Sequence, residues 1–171
     1  DVMLTALTVD ELLRFSAQIR LPRDVPRAQL DGWVRTVIDL LGLTQQRHSV
    51  VGDATRRGLS GGQRKRVNIG LEVVADPSLI FLDEPTSGLD SFQAQSVMET
   101  LRKLARAGRT VVASVHQPRS SIYAMLDRVM LLSGATARNS AAARNSAQFF
   151  FHEILKPTHP RRRPHRLLWH G

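Results

Sequence analysis

A chain of 171 residues that is 42% hydrophobic can bury one core, and with no cysteine it has neither a disulfide framework nor a thiolate zinc site. No apolar run approaches the ~18 residues of a membrane span, and no signal-like start is visible. The net charge of +9 is uneven: from Thr136 onward seven basic residues face Glu153 alone, so the first 135 residues carry only +3. That distribution argues against specific nucleic-acid binding, although a basic tail can attract phosphate polymers or anionic lipid non-specifically.

Asp1 leads straight into helix-like sequence, as expected of a piece of a longer chain. Thr8 followed by Glu11 is a capping-box pattern and predicts a helix through about Arg20, with Leu12, Leu13 and Ile19 on its apolar side. Pro22 and Pro26 interrupt the chain. A second helix is expected from about Arg27, burying Leu30, Trp33, Val34, Val37, Ile38 and Leu41, with Gly42 as its stop. The polar stretch "TQQRHSVVGDATRRG" follows, and His48 within it reads as a surface residue.

"LSGGQRKRVNIG" begins at Leu59. Ser60 can cap a helix starting near Gly62, while Gly61 and Gly62 let backbone N–H groups approach an anion closely. Arg64, Lys65, Asn68 and Glu72 fall on one face of this helix, and Val67, Ile69, Val73 and Val74 on the other. Taken alone, "SGG" is no more than a capped helix after a glycine-rich turn.

From Leu79 comes "LIFLDEPTSGLD". Leu79–Leu82 reads as a short, fully apolar strand followed by two carboxylates, Asp83 and Glu84. Asp90 or Ser91 caps a helix to about Ala107, with Ala94, Val97, Met98, Leu101, Leu104 and Ala105 inward and Gly108 at its end. A second strand is expected at Thr110–Val115, a short helix at Ser120–Leu126 and a third strand at Arg128–Leu132. Alternating strands and helices imply right-handed crossovers and a parallel sheet, with ligands bound beyond the carboxyl ends of the strands. Asp83, Glu84 and His116 all fall at that edge. Yet no G-x-x-x-x-G-K-S/T phosphate loop occurs anywhere in the chain.

The remainder changes character. "ARNS" occurs twice, Phe149–Phe151 are aromatic, and Arg161–Arg163 lie among prolines. His152, His159, His165 and His170 lack metal-ligand spacing. Residues 134–171 are therefore expected to form a basic, low-complexity, disordered tail that does not pack on the body.

The two quoted stretches resemble the signature and Walker B motifs of ATP-binding cassette (ABC) ATPases, and "LDEPTSGLD" resembles Walker B joined to the D-loop. "QRKRVNIGLEVV", the histidine in "SVHQP" and the upstream "LTALTVDELLRFSAQIRLP" are similar to the G subfamily of ABC transporters. The resemblance covers about residues 1–133. It implies an α/β fold, a partial ABC-ATPase in which a helical subdomain with the signature (about 1–75) precedes a parallel-sheet RecA-like lobe (about 76–133).

The resemblance also implies roles. Asp83 would hold Mg²⁺ through water, and Glu84 would act as general base on the attacking water. His116 would contact the γ-phosphate of ATP, and Asp90 would reach across a dimer interface. Ser60, Gly61, Gly62 and Gln63 would complete the nucleotide site of a second nucleotide-binding domain. The Walker A loop and the family's transmembrane domain are absent from the sequence, so the chain is expected to be inactive alone. In a full transporter it would be membrane-associated and would power export of hydrophobic or lipid-like substrates. Two alternatives are a non-catalytic remnant and a lobe of a soluble, DNA-associated ABC ATPase; the second class usually lacks "PTSGLD" and the helical opening.

Overall fold

The computed structural model describes residues 5–53, 57–132 and 150–155. Three helices come first: α1 (Val9–Arg20), α2 (Arg27–Leu40) and, after a single 3₁₀ turn at Thr44–Gln46, α3 (Gly61–Val73). Then follow β1 (Leu79–Asp83), α4 (Ser91–Arg106), β2 (Thr110–Val115), α5 (Ser120–Tyr123), β3 (Val129–Leu132) and β4 (Phe150–Leu155).

The helix ends follow from local chemistry. Thr8 Oγ1 accepts from the Glu11 N–H at 3.3 Å, and the Glu11 carboxylate accepts from the Thr8 N–H at 2.9 Å. This reciprocal pair satisfies two backbone donors that a helix start leaves open. At the other end of α2, Gly42 has φ +63, its N–H bonds to Asp39 O, and the Leu43 N–H bonds to Ile38 O. Gly108 repeats the arrangement after α4, with φ +96 and the Arg109 N–H on Leu104 O. Both glycines thus close a helix through a left-handed turn that satisfies its last carbonyls.

One apolar core runs through the helices and the sheet. Val9, Leu13 and Ala17 of α1, Val34, Val37 and Ile38 of α2, and Val67 and Val73 of α3 are buried in it with Val97, Met98 and Leu101 of α4. Gly70 marks the closest approach: a Cβ there would lie 2.5 Å from Leu41 Cδ1 and 3.0 Å from Leu13 Cδ2. Trp33 fastens α2 to the end of α3 by donating from its indole N–H to Val74 O at 2.9 Å. Ile19, expected inward, is 67% exposed, and Phe15 one turn earlier is exposed as well. Their row leaves the core after Leu12, because no described element covers the C-terminal half of α1 on that side.

The sheet corrects the expected topology. β1 and β2 are parallel neighbours, with Leu79 opposite Thr110 and Asp83 opposite Ser114. β3 runs in the same direction but does not touch β2. β4 lies between them and is antiparallel to both, giving the order β1-β2-β4-β3. Six residues of the segment expected to remain unpacked therefore form a strand; residues 134–149 and 156–171 lie outside the described ones. The physical reason is that β2 and β3 would otherwise present facing rows of unpaired N–H and C=O groups. The run "FFHEIL" supplies a strand of matching length.

Side-chain alternation gives the sheet two unlike faces. Ile80, Val111 and Ala113 are buried on the side against which α4 packs. On the other side Leu79 and Phe81 are exposed, followed by Asp83. The open face thus ends in a carboxylate.

A charge cluster ties the loop before α3 to the start of α1. Buried Asp10 accepts from Arg14 at 3.0 Å and from Arg47 at 2.8 Å, and Arg14 also bonds Asp31. Burial pushes the Asp10 carboxyl up, but the hydrogen bonds and charges of Arg14 and Arg47 together outweigh this and hold it below its usual value. A depressed carboxylate stabilises the fold above the unfolded-state pKa of about 3.9 and loses that contribution as pH falls through the lower folded value. Asp10→Asn is therefore expected to destabilise the chain by about 1–3 kcal/mol at neutral pH. The difference from wild type should shrink once pH drops below about 4. Urea unfolding of both proteins from pH 7 down to pH 3 checks the sign; a gap that widens on acidification contradicts it.

Candidate nucleotide site

Ser60 is the N-cap of α3. Its Oγ accepts from the Gln63 N–H at 3.3 Å, and Gln63 Oε1 accepts from the Ser60 N–H at 2.9 Å. The bond uses the serine oxygen as acceptor and leaves its hydroxyl proton available as a donor. Gln63 is thus committed to capping.

The glycines have a second reason to be small. A Cβ on Gly61 would stand 3.2 Å from Gln93 Oε1 and 3.3 Å from Leu89 Cδ2, and one on Gly62 would stand 3.0 Å from Gln93 Cβ. The Gly62 N–H donates to Gln93 Oε1 at 2.9 Å. The start of α3 therefore rests on the start of α4, where Asp90 Oδ1 caps the helix by accepting from the Gln93 N–H at 2.9 Å. Leu89 and Gln93 had no place in the sequence reading. Gln93 was legible only as the third residue past a cap, which does not say that its amide turns toward another helix.

The carboxylates form a separate cluster at the carboxyl ends of β1 and β2. Asp83 is the last residue of β1 and is exposed; Glu84 follows it at φ +43, in the left-handed region. The Glu84 N–H donates to Ser114 O at 3.1 Å and to Ser114 Oγ at 2.9 Å. The Ser114 hydroxyl in turn donates to Asp83 Oδ1. His116 is exposed just beyond β2, and Gln117 after it has φ +46. At the end of each parallel strand a polar side chain, Asp83 or His116, thus lies close to a left-handed bend.

The structure brings together Asp83 and Glu84, with Ser114 between the strands and His116 at the same edge. It separately groups Ser60, Gly61, Gly62 and Gln63 with Asp90, through Leu89 and Gln93. The turn Pro85–Leu89 joins the two groups; Gly88 in it has φ +72, and the Ser87 N–H bonds Glu84 O. Among the described residues no cluster of three or more His, Asp or Glu side chains is assembled as a metal cage. None of the described helices is long and apolar enough to cross a membrane.

This arrangement of a capped, glycine-started helix beside a strand ending in Asp-Glu can be set against known proteins. The family model described as ABC transporter matches residues 2–87, half of the chain and the part that holds Ser60–Gln63, Asp83 and Glu84. The chain belongs to the ABC transporter family.

The G-subfamily resemblance is also borne out. ABC transporter G family member 17 of Arabidopsis thaliana is 49% identical over 133 residues, which cover 78% of this chain and 20% of the relative. G family member 18 of the same plant is 47% identical over 158 residues, 92% of this chain and 22% of the relative. G family member 1 of Dictyostelium discoideum is 43% identical over 152 residues, 88% of this chain and 19% of the relative. The chain spans about a fifth of the length of these family members. Its α/β architecture, helices followed by a sheet with a parallel β1–β2 pair, is that of a partial ABC ATPase.

Proposed function

We propose that this chain is the signature-to-switch part of the nucleotide-binding domain of a G-subfamily ABC transporter. In the whole protein it hydrolyses ATP with Mg²⁺ to drive membrane export of hydrophobic or lipid-like substrates. One observation carries the reading: the parallel β1–β2 pair sets Asp83, Glu84 and His116 at one sheet edge, which is where such sheets take ligands.

The residues fit the group they would hold. Mg²⁺ is usually bound through one or two carboxylates, keeping several waters and drawing other ligands from phosphate. Asp83 offers an exposed carboxylate at a strand end, anchored through one oxygen by Ser114. When bound, the ion neutralises charge on the β- and γ-phosphates. Asp83 would hold it. Glu84 accepts a proton from the attacking water, and His116 contacts the γ-phosphate beside that water. Ser60 and the Gly61 N–H donate to a γ-phosphate held by a partner domain, with the positive end of α3 behind them. Asp90 and the turn before it face that partner.

In this reading the chain alone binds Mg-ATP weakly, since its sequence contains no G-x-x-x-x-G-K-S/T loop to cradle the β- and γ-phosphates. A full-length transporter in which residues 2–133 replace the matching segment of a relative should bind ATP and hydrolyse it. Calorimetry on the chain and phosphate release by the full-length protein make the comparison. Tight, saturable ATP binding by the chain alone would overturn the shared-site reading. A full-length protein that binds ATP but never turns it over would assign the segment to a non-catalytic remnant.

A further inference from the structure

We infer that Ser114 is a positioning residue that sets Asp83 and Glu84 as a working pair, an inference that rests on the roles proposed above. The two carboxylates are adjacent in sequence but have different tasks, one toward a metal ion and one toward water. Something must fix the angle between them. Ser114 is 7% exposed, lies opposite Asp83 in the β1–β2 register, and is bonded to both.

Each of its contacts has a separate effect. The hydroxyl donates to Asp83 Oδ1, which selects one orientation of the carboxylate and leaves the other oxygen to face outward. The same oxygen and the Ser114 carbonyl both accept from the Glu84 N–H, at 2.9 and 3.1 Å. That N–H belongs to the residue at φ +43, a conformation unfavourable for a non-glycine residue that persists only when its surroundings hold it. Ser114 therefore holds the bend that turns Glu84 away from the line of β1. Two residues after Ser114, just past the end of β2, comes His116, so all three groups lie close to one strand end.

A serine kept only for strand packing would behave differently from one kept for its hydroxyl. Ser114→Ala leaves the backbone ladder and the Ser114 carbonyl contact in place, but it releases the Asp83 carboxylate. Outer-shell partners of this kind typically change metal affinity or activity by about 10–100-fold when removed.

The test uses the full-length transporter carrying this segment, as wild type, Ser114→Ala, Ser114→Thr and Glu84→Gln. Two quantities are read: kcat and KM for ATP, and the affinity of the ATP-bound protein for Mn²⁺ by electron paramagnetic resonance. Ser114→Ala should lower kcat and weaken Mn²⁺ binding by about 10-fold or more while leaving KM for ATP close to wild type. Ser114→Thr should restore both, since it returns the hydroxyl. Wild-type kcat and Mn²⁺ affinity in Ser114→Ala overturn the inference, as does an equal loss in Ser114→Thr. If either happens while Glu84→Gln is inactive, the proposed function stands and only Ser114 loses its role. If Glu84→Gln turns over ATP normally, the assignment of the pair falls, and this inference falls with it.

Discussion

Glu84→Gln, made in the full-length transporter, is expected to leave ATP binding unchanged and to lower hydrolysis by about 10²–10⁴-fold, the range of a positioned general base. The substitution keeps the side chain's shape and removes its capacity to take a proton from water. The local backbone should not respond. Glu84 is held through its N–H on Ser114, a bond that glutamine retains, and both residue types tolerate φ +43 equally poorly. Thermal unfolding should therefore match wild type, so a loss of turnover cannot be assigned to misfolding. Nucleotide affinity and single-turnover phosphate release make the comparison. Retained turnover removes Glu84 from the general-base role.

Gly61→Asp should block nucleotide-driven pairing of two domains while leaving ATP affinity of the separate domain nearly unchanged. Two opposing effects meet at this position. A carboxylate in the first turn of α3 interacts favourably with the helix dipole, by about 0.3–1 kcal/mol. Against it, the new Cβ stands 3.2 Å from Gln93 Oε1, an acceptor, and in the proposed arrangement the charge would meet the γ-phosphate brought by the partner domain. Like charges a few ångströms apart repel by about 4 kcal/mol even at an effective dielectric of 20. Repulsion wins, and it acts only when the second domain brings its phosphate. Gly61→Ala separates size from charge: its Cβ needs the Gln93 amide to give by a few tenths of an ångström and should leave pairing largely intact. Ser60→Arg places bulk in the same approach and should resemble the aspartate. Analytical ultracentrifugation with a slowly hydrolysed nucleotide reads the effect. Wild-type pairing and turnover in Gly61→Asp would reduce the opening of α3 to a capped helix.

What was legible in the sequence was what neighbouring residues decide. Thr8 with Glu11, Ser60 as a cap, and Gly42 and Gly108 as stops are short-range chemistry, and each lies where its pattern put it. The carboxylates could be located because a strand of known length ends at Asp83. What was not legible depends on lateral partners. Ser114 matters because of the register that sets it against Asp83, and Gln93 because α4 packs on α3. A polar residue within an apolar strand, two before His116, was the available signal for the first. The strand Phe150–Leu155 was missed because its partners are β2 and β3, far away in sequence. Nothing local marks a run of aromatic residues beside "ARNS" repeats as the missing rung between two strands. Ile19 failed for a related reason: periodicity describes a helix face, not where its cover ends.

The left-handed backbone at Glu84 has a historical side. Glycine or asparagine would sit there with less strain, so every generation in which the glutamate survives is one in which the chain kept a less comfortable residue. A copy of the gene released from turning over nucleotide would gain stability by drifting to glycine at this position, since sites that store strain are where activity and stability pull apart. Under the proposed role, glutamate at position 84 is what selection for turnover would keep, and glycine is what stability alone would favour.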